Sequence, residues 1–344
     1  MALYSPLTRK HYGTSGADTM YGRNNTDDVF FGSAGADKMY GGTGVDTVDY
    51  SSMPVLVTGV TVDLTSGIGS GRHAEGDTYY SIENVVGSAG RDYLTGNGDA
   101  NVLNGGAGMD TLAGLGGADT LIGGNGVVVD TADYGLSKSG VTVNLATNVN
   151  TGGDAEGDKL YGIEDVHGSK YGDTLTGDAY DNTLLGLEDD EILFGGGGAD
   201  NLQGGIGKDT LHGGSGRDSL NGGADSDTYR FDLVEDSKYG FGDFGQPIYD
   251  IIVGFEKGID KLDLTRIDAN VLGSGDQAFK VVSQFTGQAG ELTLGVAEVE
   301  DLQFYHQTLL GDVDGDAVAD FAIEFNGYLQ PGATAFITPD DILL

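Results

Sequence analysis

One large apolar residue returns at every ninth position along much of this chain, with small or polar residues between. The series runs Met20, Met39, Val48, Leu94, Leu103, Leu112, Leu121, Leu175, Leu184, Leu193, Leu202, Leu211, Leu220 and Tyr229, with interruptions near the N-terminus and in two longer segments. An apolar residue flanked by two outward-facing ones is a very short strand with one side chain turned inward. Nine residues hold one such strand and one turn, and a lone unit has nothing to bury its side chain against. Stacked units bury each side chain on its copy. The pattern predicts an all-β solenoid.

Glycine and aspartate fill the turns in the same phase. The longest block starts at Gly168 and steps by nine through Gly177, Gly186, Gly195, Gly204, Gly213 and Gly222. A second runs from Gly87 through Gly96, Gly105 and Gly114 to Gly123. A third, less regular, holds GTSGADTMY (13–21), GSAGADKMY (32–40) and GGTGVDTVD (41–49), with a degenerate unit around Asp28. The sharpest units read GGGGADNLQ (195–203), GGIGKDTLH (204–212) and GGSGRDSLN (213–221), which gives the pattern G-G-x-G-x-D-x-U-x with U large and apolar. Glycine adopts dihedrals closed to other residues and lets the backbone turn tightly around an ion. Aspartate carboxylates and glycine carbonyls are hard oxygen donors, the ligand set calcium prefers. A disordered Gly/Asp-rich linker would not hold its apolar residues in phase over consecutive repeats.

The two interruptions, residues 46–88 and 130–169, match each other. Asp49-Tyr50 corresponds to Asp133-Tyr134, Val60-Thr61-Val62 to Val141-Thr142-Val143, and Ala74-Glu75-Gly76-Asp77 to Ala155-Glu156-Gly157-Asp158. Alternation over Val60–Leu64 and Val141–Leu145 reads as strand, so each insert is expected to continue the parallel coil with longer turns and a bulging loop. Glu75 and Asp77, like Glu156 and Asp158, read as either extra calcium ligands or solvated loop acids. The chain then divides into a lead-in (1–12), a first repeat block (13–49), an insert (50–86), a second block (87–126), the duplicated insert (127–167), a third block (168–230) and a C-terminal cap (231–344).

Composition sharpens this picture. Glycine accounts for 62 of 344 residues and proline for only 5, which excludes collagen. Asp plus Glu is 54 against 17 Lys plus Arg, a formal net charge of −37. Such a chain repels itself unless cations neutralise it, and it lacks the basic surface that nucleic acid or an anionic membrane requires. Multivalent cations are the expected partner. There is no cysteine, so disulfides and thiolate metal sites are excluded. Residues 1–11 carry no apolar core of signal-peptide length, and no apolar run reaches the length of a membrane span.

The nonapeptides resemble the RTX family, hemolysin-type calcium-binding proteins exported by type I secretion. That resemblance implies a right-handed parallel β-roll, or β-helix, with two nonapeptides per turn and calcium shared between repeats n and n+2. By position it implies ligation by Asp18, Asp37, Asp46, Asp92, Asp110, Asp119, Asp173, Asp200, Asp209, Asp218 and Asp227. It further implies turn glycines at Gly105, Gly108, Gly195, Gly198, Gly204, Gly207, Gly213 and Gly216. Asn101, Asn182 and Glu191 depart from the pattern, which puts full occupancy of their sites in doubt.

Beyond Asp227 the period dissolves and aromatic residues increase. The stretches DTYRF, YDIIVGFEKGIDKLDL (249–264) and FTGQAGEL (285–292) resemble the domain that follows the β-roll in serralysin-type proteases, which implies a β-rich cap and no catalyst. In GDVDGDAVADFAIEF (311–325), Asp312, Asp314, Asp316 and Asp320 take positions 1, 3, 5 and 9 of an EF-hand-like loop. The bidentate glutamate of position 12 is absent there, since Ile323 stands in its place. The acidic and aliphatic end Thr338–Leu344 resembles a type I export signal, although a plain terminal strand would read the same way.

No H-E-x-x-H or G-x-S-x-G motif occurs, and His11, His73, His167, His212 and His306 show no metal-ligand spacing. The chain is therefore expected to be non-enzymatic. The functions it points to are a secreted, calcium-folded, self-associating structural protein of a surface layer, filament or matrix, or a binder of cell-surface polysaccharide. A lyase- or epimerase-like enzyme acting on polysaccharide is a weaker alternative.

Overall fold

A computed structural model describes residues 8–52, 58–124, 128–241, 247–271, 277–295, 298–301, 304–328 and 335–344. Among these the regular structure is β-strand with a few single-turn 3-10 segments and no α-helix. The chain forms two compact units, Met1–Ser169 and Lys170–Leu344. The expected boundary between the second block and the second insert, at residues 125–127, lies outside the described residues.

Both units are built by the nine-residue period. In the first, Leu94 pairs in parallel register with Leu112, and Leu103 with Leu121. In the second, Leu175 pairs with Leu193 and Leu193 with Leu211, while Leu184, Leu202 and Leu220 align on the opposite face. Partners are thus two repeats apart, so consecutive repeats lie on opposite faces and one coil takes two nonapeptides. This is a parallel β-roll. The inward residues are buried almost completely, and each leucine removed from water in this way contributes about 1.5–3 kcal/mol. Since a coil touches only its neighbours, the core within each unit is a stack of similar layers.

The inserts keep this core while lengthening the turns. Val85 stands between Val48 and Leu103 in one continuous register, and Tyr79 pairs with Met39. The first insert departs from the expected all-parallel coil. Its strand Thr58–Asp63 runs parallel to Arg91–Thr95, but Ile68–Ser70 folds back antiparallel upon it. The cause is local: Asp63 Oδ1 accepts the amides of Thr65 and Ser66, closing a tight turn. In the second insert the equivalent return shrinks to one antiparallel bridge between Thr142 and Thr151.

Two further boundaries move. Arg9–Tyr12, expected as lead-in, is already a coil strand, paired with Asp28–Phe31. The C-terminal cap begins later than residue 231. Leu220 continues onto Ile252 and Tyr229 onto Leu262, so 250–263 supplies another turn of the roll with longer loops. The closing element is the antiparallel pair Phe304–Asp312 and Phe321–Tyr328, which docks in parallel on Asp250–Val253. Near residue 344, Ile342–Leu343 pairs in parallel with Leu262–Asp263.

Candidate metal centre

The aspartate of each nonapeptide sits two residues before the inward apolar position, where the turn becomes strand. This places its carboxylate inside the corner of the coil, and Asp37, Asp46, Asp92, Asp110, Asp119, Asp173, Asp200, Asp209, Asp218 and Asp227 are all buried. Each corner is tied to the next turn by one repeated contact: the aspartate amide donates to Oδ1 of the acid one coil later. Asp92 donates to Asp110 at 2.8 Å, Asn101 to Asp119 at 2.7 Å, Asn182 to Asp200 at 2.8 Å, Asp200 to Asp218 at 2.8 Å and Asp209 to Asp227 at 3.0 Å. The result is a ladder of carboxylates along each edge of the roll.

The second oxygen of these groups is the notable one. Oδ2 of Asp46, Asp110, Asp119, Asp200, Asp209, Asp218, Asp227 and Asp250 is buried without a hydrogen-bond donor, as are both carboxylate oxygens of Glu191. Leaving one such acceptor unmet costs about 1–3 kcal/mol, more if it is charged. Burial accordingly raises the pKa of Asp110, Asp119, Asp200, Asp218 and Asp227 to about 7 and that of Asp46 to about 6. Burial and facing carboxylates also raise Glu191 and Asp209. Buried acids with open oxygens fit a bound metal ion.

The glycines keep room beside these oxygens. A Cβ at the first glycine of a repeat, Gly105, Gly195, Gly204 or Gly213, would collide with Oδ2 of that repeat's own aspartate. The fourth-position glycines Gly108, Gly198, Gly207 and Gly216 stand at φ of 136°, 112°, 151° and 140°, the region that disfavours side chains. At Gly216 a Cβ would also strike the carbonyl of Gly198, one coil earlier. Successive turns therefore stack with backbone oxygens and carboxylates converging in the loops.

Not every ladder acid is open. Thr14 donates its amide and hydroxyl to Asp18 Oδ2, which lowers the Asp18 pKa. Ser33 donates to Asp37, and Ser88 satisfies both oxygens of Asp92. Asn101 accepts from Asn97 and donates to the Glu83 carbonyl, so that corner is closed by neutral groups.

The structure also adds ladder members beyond the nonapeptides. Asp77 receives the Asp37 amide, Asp130 that of Asp110 and Asp158 that of Asp119, while Asp28 of the degenerate unit donates its amide to Asp46. Asp250 receives that of Asp218 and Asp260 that of Asp227, while Glu83 and Glu164 accept from Asp46 and Asp130. Within the inserts the acids take different places. Asp77 and Asp158 are buried in the ladder, whereas Glu75 and Glu156 close their own loops on the amides of Gly71 and Gly152. A sequence signal for all of these exists, the tripeptide acid-x-apolar, which persists where the glycine pattern lapses.

In the C-terminal hairpin, carboxylate oxygens of Asp312, Asp314 and Asp320 lie within 4.8 Å of one another. Asp312 accepts the Gly315 and Ala317 amides, and Asp320 that of Val313. Asp316 stands outside this group, exposed and accepting from Val318. The loop joins two strands, so the ligand spacing of an EF-hand occurs here without its helices.

Two repeats per coil, stacked in register, with carboxylate ladders open at the corners, define a parallel β-roll with candidate cation sites. The chain belongs to the RTX calcium-binding nonapeptide-repeat family, whose pattern matches residues 24–52, 79–112, 104–127, 167–202 and 194–229. Among solved structures it is similar to the R2 and R3 subunits of the mannuronan C5-epimerase AlgE6 from Azotobacter vinelandii. Identity to R2 is 32%, over 49% of this chain and 91% of that one, with a TM-score of 0.35. For R3 the values are 29%, 49%, 81% and 0.35. No curated protein matches the chain. Among the described residues no helix is long and apolar enough to cross a membrane.

Proposed function

We propose that this chain is a secreted structural protein that folds on calcium outside the cell and self-associates into a surface layer, filament or matrix. The observation that carries the reading is the row of buried carboxylate oxygens without protein donors. Asp46, Asp110, Asp119, Asp200, Asp209, Asp218 and Asp227 would hold the ions, together with carbonyls of the adjoining glycine turns. Asp312, Asp314 and Asp320 would hold another. Bound calcium would supply the positive charge that lets these acids remain ionised while buried. The chain's own part is to position them, by the repeated amide contact along each ladder.

Sites of extracellular calcium modules bind at about 10⁻⁴–10⁻³ M, so in calcium-poor cytosol the open ladder acids repel and their coils are destabilised. That state suits passage through a type I export channel, and the roll condenses outside. The chain is non-catalytic in this reading, because its buried acids serve the ladders. A second reading, binding of an extracellular polysaccharide, is favoured by the stacked rings of Tyr21, Tyr40 and Tyr80, with centroids 5.0 and 4.5 Å apart and Tyr21 and Tyr80 exposed.

Sedimentation velocity in chelator and in calcium tests the choice. The structural reading expects species larger than the monomer with calcium alone, reversed by chelator. A folded monomer at every protein concentration would overturn it, and a glycan-specific rise in melting temperature of that monomer would establish the second reading.

A further inference from the structure

The two inserts repeat a pair of residues that the plain nonapeptides lack. Asp77 and Asp158 take the ladder contact of any other rung, with Oδ1 accepting the amides of Asp37 and Asp119 at 2.8 Å. Their second oxygens, unlike those of Asp110, Asp200 or Asp218, are met. Tyr50 donates its hydroxyl to Asp77 Oδ2 at 2.6 Å, and Tyr134 donates to Asp158 Oδ2 at 3.0 Å. Both tyrosines and both acids are fully or almost fully buried. Each tyrosine is also fixed by its own amide, Tyr50 to the Val86 carbonyl at 2.8 Å and Tyr134 to the His167 carbonyl at 2.9 Å. At the first insert the ring occupies space left by Gly32, where a Cβ would run into it. The same pairing thus arises twice, from Asp49-Tyr50 with Glu75-Gly76-Asp77 and from Asp133-Tyr134 with Glu156-Gly157-Asp158.

We infer that Tyr50 and Tyr134 stand in for the cation at the two insert rungs, which makes these coils independent of calcium within an otherwise calcium-dependent roll. The inference rests on the reading that open ladder oxygens take calcium. A phenol is a hydrogen-bond donor rigidly attached to the coil, so it satisfies the buried oxygen at no cost in ion binding. Demand for calcium then falls on the rungs with open oxygens. In the first unit these include Asp46, Asp110 and Asp119, and in the second they extend from Glu191 to Asp250. The inserts become the segments that hold coil structure before the ion arrives.

Hydrogen exchange of the full chain, followed by mass spectrometry in chelator and in calcium, tests this with the variants Tyr50→Phe and Tyr134→Phe. Phenylalanine keeps the ring and removes only the donor. In chelator, wild-type protection should be higher at Thr78–Tyr80 and Lys159–Tyr161 than at Ser219–Ala224. Each variant should lose about tenfold in protection at its own insert, the equivalent of one hydrogen bond, and should regain it on calcium addition. That calcium rescue is a response a purely structural bond would not show. Unchanged protection in both variants, or a loss that calcium does not repair, overturns the inference while leaving the ladder reading intact. Indifference of Ser219–Ala224 to calcium in the wild type would overturn the ladder reading and this inference with it.

Discussion

At Asp218 one carboxylate oxygen takes the Asp200 amide and the other takes nothing. That asymmetry makes the sign of a substitution depend on the ion. Asp218→Asn keeps the shape and removes the buried charge, as nature has done at Asn101, whose amide finds protein partners. The variant should melt higher than wild type in chelator and lower in calcium, each by about 1–3 kcal/mol of stability. Equal shifts of one sign in both conditions, measured by thermal melts, would rule out a cation at this corner. Protons compete for the same oxygens. Burial lifts Asp110, Asp119, Asp200, Asp218 and Asp227 to about 7, above the unfolded value of about 4. The ion-free fold therefore binds more protons than the unfolded chain between those values, and its stability falls as pH rises through that window. Without calcium the melting temperature should be higher at pH 5 than at pH 8. Calcium affinity should fall as the pH is lowered from 8 to 5, since binding must displace those protons. A melting temperature that rises with pH in chelator would contradict this.

At the scale of the element, the repeat Gly186–Phe194 departs from the pattern. Leu187 and Asp189 sit at φ of 93° and 75°, in turn positions that other repeats give to glycine, and Glu191 replaces the aspartate. A left-handed backbone costs an ordinary residue about 1–2 kcal/mol. Leu187 is 38% exposed, so it returns little through burial. Leu187→Gly should raise stability in calcium by about 1 kcal/mol in denaturant unfolding, and a loss of stability would show that its side chain is needed. This repeat also marks what the sequence made legible. The period of nine and the inward leucines were readable because each layer repeats its neighbour's environment. The Asp130, Asp250 and Asp260 rungs were not, because glycine marks the motif only where the turn is tight, and Asp77 and Asp158 were legible only as acids open to two readings. Where a longer loop makes the turn, only Asp77-Thr-Tyr79 or Asp260-Lys-Leu262 remains of the motif. The antiparallel return of Ile68–Ser70 depends on a turn closed by Asp63, which no periodicity encodes.

Over the whole molecule, the net charge of −37 and the buried ladders act together. Unneutralised, the acids oppose both the roll and any contact between copies. Neutralised, they bind each coil to the next around the nine-residue column of buried side chains. Folding and association are thus expected to share one switch, with the insert rungs as the part that does not need it. The most direct test is a calcium titration of chelator-treated protein followed by far-ultraviolet circular dichroism, with magnesium as the control. The account predicts a cooperative rise in β signal, from a residual level, at about 10⁻⁴–10⁻³ M calcium, and little response to magnesium. The same β signal in chelator and in calcium would contradict it, since the open carboxylates would then need no ion to be buried.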